Sequence, residues 1–272
     1  MQATDWQPFR FSEKRVIALT TYRSAGANRD GAALHFGFNR LTGCRRVPDP
    51  YRWLSEQLGL TAPILVPDQV HGDHIQLISR SQIEGAEDSA VRLGKADGLL
   101  TADCEVPLAI LTADCVPLFY YAPEKQVVGL VHAGWRGTLA GIGAKMIDEM
   151  RQQYGVDPGK VEVWIGPSIG PCCYEVDQPV IKAFRERFPD CRQILLPGSR
   201  DDAHAQLDLW QANVELLIHA GVPRTSIHLS RLCTSCLDRL FFSHRRDKGE
   251  TGRMLSLIIM TQKEEVAKSA KH

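Results

Sequence analysis

Several features that would assign this chain to a specialised class are missing. Its formal net charge is zero, with 32 basic and 32 acidic residues, so no charge excess favours nucleic acid or an anionic membrane as a partner. No apolar run approaches the ~20 residues of a membrane-spanning helix, and residues 1–12 lack the apolar segment of a signal peptide. We therefore expect a cytoplasmic protein that binds neither nucleic acid nor membrane.

The chain also lacks a Ser/Gly linker or a block of like charge that would divide it. With 272 residues, 44% of them hydrophobic, it can bury a large core. We predict one domain over residues 1–272 with a frayed, charged tail at 263–272. Eight cysteines are present, but a chain of this length needs no disulfide staples, and we expect reduced thiols.

Short apolar runs bounded by turn residues indicate buried strands. They lie at 64–66, 75–78, 106–111, 118–121, 127–131 and 161–165, and residues 254–260 alternate as a final strand. Helical spacing predicts one helix through Leu139, Ile142, Met146 and Met150. A second helix is expected after Asp177 and a third from Asp208. The pattern predicts an α/β (α+β) fold with a mixed sheet system.

Three side chains at the ends of strand-like runs form the best candidate site: His71, Cys115 and His132. Each is flanked by Gly, Pro or Asp, where a strand gives way to a turn. Two histidines and a cysteine satisfy the three-ligand count of a catalytic zinc site, which keeps one position for water or substrate. Taken singly, each is more often a structural histidine or a core cysteine.

The sequence Thr-Ala-Asp-Cys occurs twice and ends once at Cys104 and once at Cys115. Both copies precede a proline by two or three residues. Spacing alone does not decide which copy is functional, and a short duplication or chance explains the repeat equally well.

Five segments, in order, carry a resemblance to a known family. They are QVHG at 69–72, TADCVP at 112–117, HAGWRG at 132–137, IGPSIGPCCYE at 165–175, and FFSHRRD at 241–247 with TGRM at 251–254. Together they resemble the laccase-domain family, also called multicopper polyphenol oxidase or peptidoglycan-editing factor. The resemblance spans roughly residues 15–260.

This resemblance implies a four-layer α/β/β/α fold, in which two mixed sheets are flanked by helices. It implies a zinc held by His71, Cys115 and His132, and so selects Cys115 over Cys104. It further implies purine nucleoside phosphorylase activity on adenosine and inosine, with adenosine deamination and methylthioadenosine cleavage as companion activities.

The match weakens near the N-terminus. The family's usual Thr-Thr-Arg-x-Gly-Gly-Val-Ser and Leu-Asn-Leu-Gly are altered here at Ala25, Asn28 and His35. If this segment lines the pocket, we expect a different substrate preference.

Phosphorolysis needs an anion held against the anomeric carbon of a nucleoside. The planar fork of arginine binds two oxygens of a phosphate, which makes Arg23, Arg136, Arg245 and Arg246 candidates, although an ion pair is favoured for Arg246. For each of them a surface or structural ion pair is the alternative.

The departing purine needs a proton or a stacking partner. His244 is a candidate proton donor, because an unperturbed histidine has a pKa of about 6.5, with a structural histidine as the equal alternative. Phe242 is a candidate stacking residue, although adjacent strand residues face opposite ways and either it or Phe241 belongs to the core. Asp114 is a candidate acid or base beside Cys115, or else caps a turn.

Other motifs give weaker signals. The loop at 166–171 is a candidate for offering backbone N–H groups to phosphate or ribose, with a structural turn as the simpler interpretation. From an extended backbone, Cys172 and Cys173 cannot both face one pocket, so we expect one at the site and one in the core. Cys233 and Cys236 have redox or zinc spacing, but no second such pair accompanies them, and a redox role is not favoured.

Four functions remain open. The first is the zinc phosphorylase, and the second is a copper oxidase of phenols, since a Cys-His₂ set also suits copper. A multicopper oxidase depends on many histidines, often as His-x-His pairs, whereas this chain has nine histidines and no such pair. The third is a hydrolase that edits a muramyl-peptide precursor, with Cys115 as nucleophile and a histidine as base. The fourth is a structural zinc, for which no fourth ligand is evident.

Overall fold

The chain forms two large sheets between layers of helix. The computed structural model describes residues 5–24, 35–37, 49–198 and 203–262. Its strands are β1 Trp6–Phe9, β2 Val16–Thr21, β3 Ile64–Asp68, β4 Ile75–Leu77, β5 Ala90–Lys95, β6 Gly98–Thr101, β7 Leu108–Thr112, β8 Val116–Ala122, β9 Val127–Ala133, β10 Glu162–Ile165, β11 Glu175–Val176, β12 Leu195–Pro197, β13 Ala205–Leu207, β14 Ile227–Leu229 and β15 Met254–Met260. Its helices are α1 Pro50–Leu58, α2 Trp135–Ala140, α3 Ile142–Tyr154, α4 Gln178–Arg187 and α5 Leu209–His219. The altered positions Ala25 and Asn28 and the tail at 263–272 lie outside the described residues.

Both large sheets are mixed. The first has the strand order β1-β2-β15-β7-β3-β5 and the second β14-β10-β8-β9-β6-β4, while β11, β13 and β12 form a small third sheet. In the first sheet β3 runs parallel to β5 and β7. In the second sheet the parallel pairs are β10 with β14 and β4 with β6. The predicted mixed α/β fold is confirmed.

The alternation of side chains along the central strands separates three apolar layers. Phe119 of β8 packs with Ile258 of β15 between the two sheets, whereas its neighbour Leu118 packs with Met146 of α3. On the outer face of the first sheet, Leu54 of α1 joins a third cluster. The layers are therefore α1, first sheet, second sheet and α2–α5, which confirms the four-layer arrangement. Every residue of β8, β9 and β15 is buried because both faces of these strands are covered.

The seven predicted apolar runs all correspond to strands, namely β3, β4, β7, β8, β9, β10 and β15. Two of the three predicted helices are also confirmed: α4 follows Asp177, and α5 begins where the Asp208 side chain accepts a hydrogen bond from a first-turn N–H at 2.9 Å. Within the described part of the chain, no helix combines the length and apolar character needed to cross a bilayer.

The predicted single helix through Leu139 and Met150 is wrong, because it is two helices. The chain breaks at Gly141, whose φ of +78° is left-handed, a conformation that glycine adopts without a steric penalty. Apolar residues continue at helical spacing across the break, so periodicity alone merged α2 and α3. The N-terminus of α2 lies directly after β9, near His132 in sequence.

Candidate metal centre and its cavity

Asp97 holds the turn that carries His71. This turn follows β3, and His71 has a φ of +60°, a left-handed conformation that residues other than glycine seldom adopt. The Asp97 carboxylate accepts hydrogen bonds from the backbone N–H groups of Val70, His71 and Gly72 at 3.2, 3.0 and 2.7 Å. Three convergent donors on one carboxylate thus fix an otherwise unfavourable turn and the direction of the His71 side chain.

The same carboxylate orients His132, near the end of β9. The His132 Nδ1 lies 2.8 Å from Asp97 Oδ1, and both side chains are buried. Although burial favours the neutral acid, the His132 hydrogen bond and the backbone donors hold the pKa of Asp97 below its usual range. We assign the Nδ1–H tautomer to His132 on this bond, which leaves Nε2 available as a ligand atom.

Cys115 directly precedes β8 and meets both histidines. The ligand atoms of His71, Cys115 and His132 all lie within 4.8 Å of one another. Burial opposes charge on either member of the Cys115–His132 pair. Even so, the charge and hydrogen bond of His132 lower the pKa of Cys115 to about 6, and the Cys115 thiolate together with Asp97 raises the pKa of His132 to about 9. Without a metal, the pair is therefore a thiolate and an imidazolium at neutral pH.

The three donors fit a zinc ion. Ligand atoms around tetrahedral zinc lie about 3.3–3.8 Å apart, so the observed grouping needs little movement. Gly134 leaves room for it, because a Cβ there would lie 3.1 Å from Cys115 Sγ and 3.2 Å from His71 Cδ2. In the described part of the chain no fourth His, Cys, Asp or Glu joins this group. The donor set is that of a catalytic rather than a closed structural site.

The three donors line a cavity of about 800 Å³, which is within the range of small-molecule sites. Its walls combine the N-terminus of α2, the segment around Tyr174, the segment at 244–253, and His35. His35, one of the altered positions, is thus a wall residue, and its side chain is buried.

Two of the four candidate arginines lie on this cavity, together with His244. Arg246 is not a lining residue, and its Nε pairs with Asp247 Oδ1 at 2.8 Å. Arg136 stacks on Trp135, with its Cζ 4.3 Å from the ring centroid. Arg245 lies over the ring of Tyr174 at 4.9 Å, and its Nη1 donates to the Glu175 carbonyl at 2.7 Å. Both guanidinium groups are therefore held by aromatic faces at the cavity wall.

Arg23 and Phe242 are not among the residues that line the cavity. Arg23 Nη1 donates to the Asp238 carbonyl at 2.8 Å, and its guanidinium lies 5.1 Å from the Phe242 ring centroid. Phe242 is buried, and its ring packs so closely on Gly252 that a Cβ there would come within 2.6 Å. This geometry suits a structural role for both residues.

Asp114 ties three loops together. It has a φ of +88° and is buried. Its Oδ1 accepts from the Thr234 hydroxyl at 2.6 Å and its Oδ2 from the Arg245 N–H at 2.7 Å, while its carbonyl accepts from the Ile169 N–H at 2.9 Å. With both carboxylate oxygens engaged, its geometry favours positioning Arg245 over proton transfer.

The loop at 166–171 does not present its N–H groups to the cavity. The N–H groups of Gly166, Ser168 and Ile169 bond to carbonyls of other segments, and that of Gly170 bonds to Cys233 Sγ at 3.3 Å. The phosphate-cradle interpretation is therefore wrong, because sheet and loop contacts already use these donors.

The remaining cysteines lie elsewhere. Cys104 packs against the apolar cluster between the sheets. The expectation that Cys172 and Cys173 diverge to site and core is wrong, because they lie in a turn rather than a strand. Their sulfurs lie 3.5 and 3.4 Å from Cys236 Sγ. These contacts also show that the assumption of no partner pair for Cys233 and Cys236 is wrong, because Cys172 and Cys173 form that pair.

Comparison with known proteins identifies the family. The family described as "Multi-copper polyphenol oxidoreductase laccase" matches residues 17–261. The protein named "Purine nucleoside phosphorylase YlmD" from Geobacillus stearothermophilus is 40% identical over 245 residues, covering 89% of each chain. The crystal structure of YlmD from the same species has a TM-score of 0.86 at 36% identity and covers 96% of this chain and 98% of that one. A prokaryotic protein of unknown organism named "Adenosine deaminase RL5" is 33% identical over 246 residues, 88% of this chain and 93% of its own.

This chain belongs to the multi-copper polyphenol oxidoreductase laccase family.

Proposed function

We propose that the protein is a zinc-dependent purine nucleoside phosphorylase that cleaves inosine and adenosine with phosphate. The observation that carries the proposal is the group His71, Cys115 and His132 at the wall of a cavity that also holds two arginines. The names of its relatives, purine nucleoside phosphorylase and adenosine deaminase, point to the same substrate class.

The cavity supplies the contacts that the two substrates need. Arg136 and Arg245 offer planar cationic groups for phosphate oxygens. Trp135 and Tyr174, which also line the cavity, offer flat apolar faces for a purine. His244 is the proposed proton donor to the departing base.

His71, Cys115 and His132 would hold the zinc, with Asp97 setting the orientation of both histidines. When bound, a zinc ion supplies Lewis-acid polarisation of an oxygen or an activated water. An activated water suits adenosine deamination, which we propose as a companion reaction, with methylthioadenosine cleavage as a further one.

Product analysis with and without phosphate tests the proposal. We expect hypoxanthine and ribose 1-phosphate from inosine only when phosphate is present, and loss of both in a Cys115→Ala variant. The matched control is Cys104→Ala, which alters the other copy of the repeated motif and should stay active. Base release without phosphate, or full activity in metal-free protein, would falsify this mechanism.

One geometric observation favours a second candidate, a cysteine hydrolase acting on a muramyl-peptide precursor. Cys115, His132 and Asp97 form a chain of hydrogen-bonded groups, with a thiol pKa of about 6, which is the arrangement of an activated nucleophile. The two candidates differ in metal dependence. A nucleophilic Cys115 requires a free thiolate. Protein stripped of metal by a chelator would therefore keep its hydrolase activity, and alkylation of Cys115 with iodoacetamide would abolish that activity.

Copper is the less favoured cofactor. In the described residues the only group containing His is His71, Cys115 and His132, whereas oxidation of phenols by several coppers needs further histidine clusters. Metal analysis of the purified protein shows whether zinc or copper is bound. An assay with syringaldazine as substrate shows whether the protein oxidises phenols. Copper at one per chain together with turnover of this substrate would replace zinc in the proposal.

A further inference from the structure

Four cysteines far apart in sequence meet on one side of the cavity wall. The sulfurs of Cys172, Cys173, Cys233 and Cys236 all lie within 4.8 Å of one another. The first pair lies in a turn closed by the Cys173 N–H and the Gly170 carbonyl at 3.0 Å. The second pair lies in a turn closed by the Leu237 N–H and the Cys233 carbonyl at 3.0 Å.

These distances match a single tetrahedral ion. With Zn–S bonds of about 2.3 Å, the sulfurs of a tetrathiolate zinc site lie about 3.8 Å apart. Cys236 Sγ lies 3.5 Å from that of Cys172 and 3.4 Å from that of Cys173. A disulfide would need a sulfur separation of about 2.05 Å, and Cys236 can pair with only one of its two near neighbours.

The backbone also suits bound thiolates. The N–H of Gly170 donates to Cys233 Sγ at 3.3 Å, and the N–H of Cys236 bonds to the same sulfur. Such donors stabilise negative charge on a cysteine sulfur. Cys233 is buried while Cys172 and Cys236 are exposed, so the cluster lies at the surface with one ligand anchored in the core.

We propose that Cys172, Cys173, Cys233 and Cys236 bind a second, structural zinc ion. Binding converts the four thiols to thiolates and releases their protons to solvent, with no change of redox state. A tetrathiolate set with every position filled by protein is the pattern of a structural site, in contrast to the three-donor centre.

The ion would join two segments that build the cavity wall. The first pair directly precedes Tyr174. On the other side, Cys233 precedes Thr234, whose hydroxyl bonds to Asp114. The two segments already touch through an N–H of Thr234 and the Ser168 carbonyl at 3.1 Å. A zinc at the four cysteines would therefore reinforce the wall without contacting substrate, and the inference does not depend on phosphorolysis.

Metal counting by mass spectrometry tests the proposal on protein purified under reducing conditions. We expect two zinc ions per chain in the natural protein and one each in Cys115→Ala and Cys236→Ser. Cys191→Ser, which changes a thiol outside both groups, is the matched control and should keep two. One zinc in the natural protein that disappears with Cys115→Ala would overturn the second site, and so would an unchanged count in Cys236→Ser.

Two measurements avoid dependence on the folding of the Cys236 variant. Cobalt bound to Cys115→Ala should show the intense thiolate charge-transfer and visible bands of a tetrahedral tetrathiolate. A mercurial titration of Cys115→Ala should release the remaining zinc as the four clustered thiols react, whereas Cys44, Cys104 and Cys191 should react without metal release. Iron in place of zinc would overturn the assignment of the metal. Immediate reaction of all four thiols with no metal release would overturn the site.

Discussion

The carboxylate of Asp97 contacts His132 Nδ1 at 2.8 Å and at the same time accepts the backbone N–H of His71 at 3.0 Å. One buried acid thus sets the ring orientation of one proposed ligand and the backbone conformation of another. Cys115 lies outside this arrangement, and its sulfur meets both rings from the start of β8.

The first prediction concerns the link between Asp97 and the metal ligands. Asp97→Asn removes the negative charge and places an amide NH₂ among N–H donors, so it should loosen both histidines. Loss of such an outer partner costs roughly tenfold to hundredfold in metal affinity. Competition with a chromophoric chelator measures the change. Asp103→Asn, an acid in the copy of the repeat that ends at Cys104, is the control, and equal affinities in the two variants would contradict the role of Asp97.

A second prediction concerns the pH dependence of zinc uptake. The pKa is about 6 for Cys115 and about 9 for His132. Between pH 6 and pH 9 the pair therefore holds one proton, which is on His132 and must leave before zinc can bind. Zinc needs the neutral imidazole, so binding becomes stronger as pH rises. Apparent affinity should rise about tenfold per pH unit between pH 7 and 9 and level off above. Calorimetry in buffers of different ionisation enthalpy should count the same proton, and a flat profile would refute the ion pair.

The third prediction concerns the space beside Gly134. Gly134→Ala is compatible with its φ of −71°, but the new methyl meets Cys115 Sγ at 3.1 Å and His71 Cδ2 at 3.2 Å. We expect a folded protein with weakened zinc binding, shown by circular dichroism together with metal analysis. Gly94→Ala, where a Cβ meets nothing within 4 Å, should bind zinc normally. Full zinc occupancy in Gly134→Ala would show that the ligands do not use this space.

A fourth prediction separates anion binding from metal binding. Arg136→Ala and Arg245→Ala should each raise the KM for phosphate roughly tenfold to hundredfold, because a hydrogen bond to a charged group contributes about 1.5–3 kcal/mol. Zinc content should not change. The control is Arg151→Ala, which removes an exposed arginine paired with Asp148 at 2.9 Å. An unchanged KM in both cavity variants would remove phosphate from the proposed site.

Most of the strands that the sequence predicted, β8, β9 and β15 among them, are buried on both faces, since continuous apolar runs are recognisable without knowledge of their neighbours. Two missed strands, β2 and β6, are almost fully buried, but others carry weaker patterns. The edge strand β5 is largely exposed or half-buried, and β1 has one buried residue in four. The small third sheet consists of strands of two or three residues, which are too short to show a period.

The residues of the candidate site also divide into those that the sequence predicted and those that it did not. The resemblance selected His71, Cys115 and His132, and the fold brings their ligand atoms together. Asp97 was missed because a single acid before an apolar strand carries no local signal, and its partners come from two other segments. The cysteine cluster was missed for a related reason. Its two pairs are remote in sequence, and contacts such as the bridge between Ser168 and Cys233 bring them side by side.

The position of His71 has a mechanical consequence. Its turn leaves the first sheet at the end of β3 and enters the second at β4. Cys115 likewise lies where the chain passes from β7 of the first sheet to β8 of the second, whereas His132 belongs to β9 in the second sheet. Separating the two sheets would pull on both crossovers and move His71 and Cys115 relative to His132. An ion held by all three would therefore clamp the sandwich, and the rate at which the sheets part, and with it the unfolding rate of the whole chain, should depend on metal occupancy.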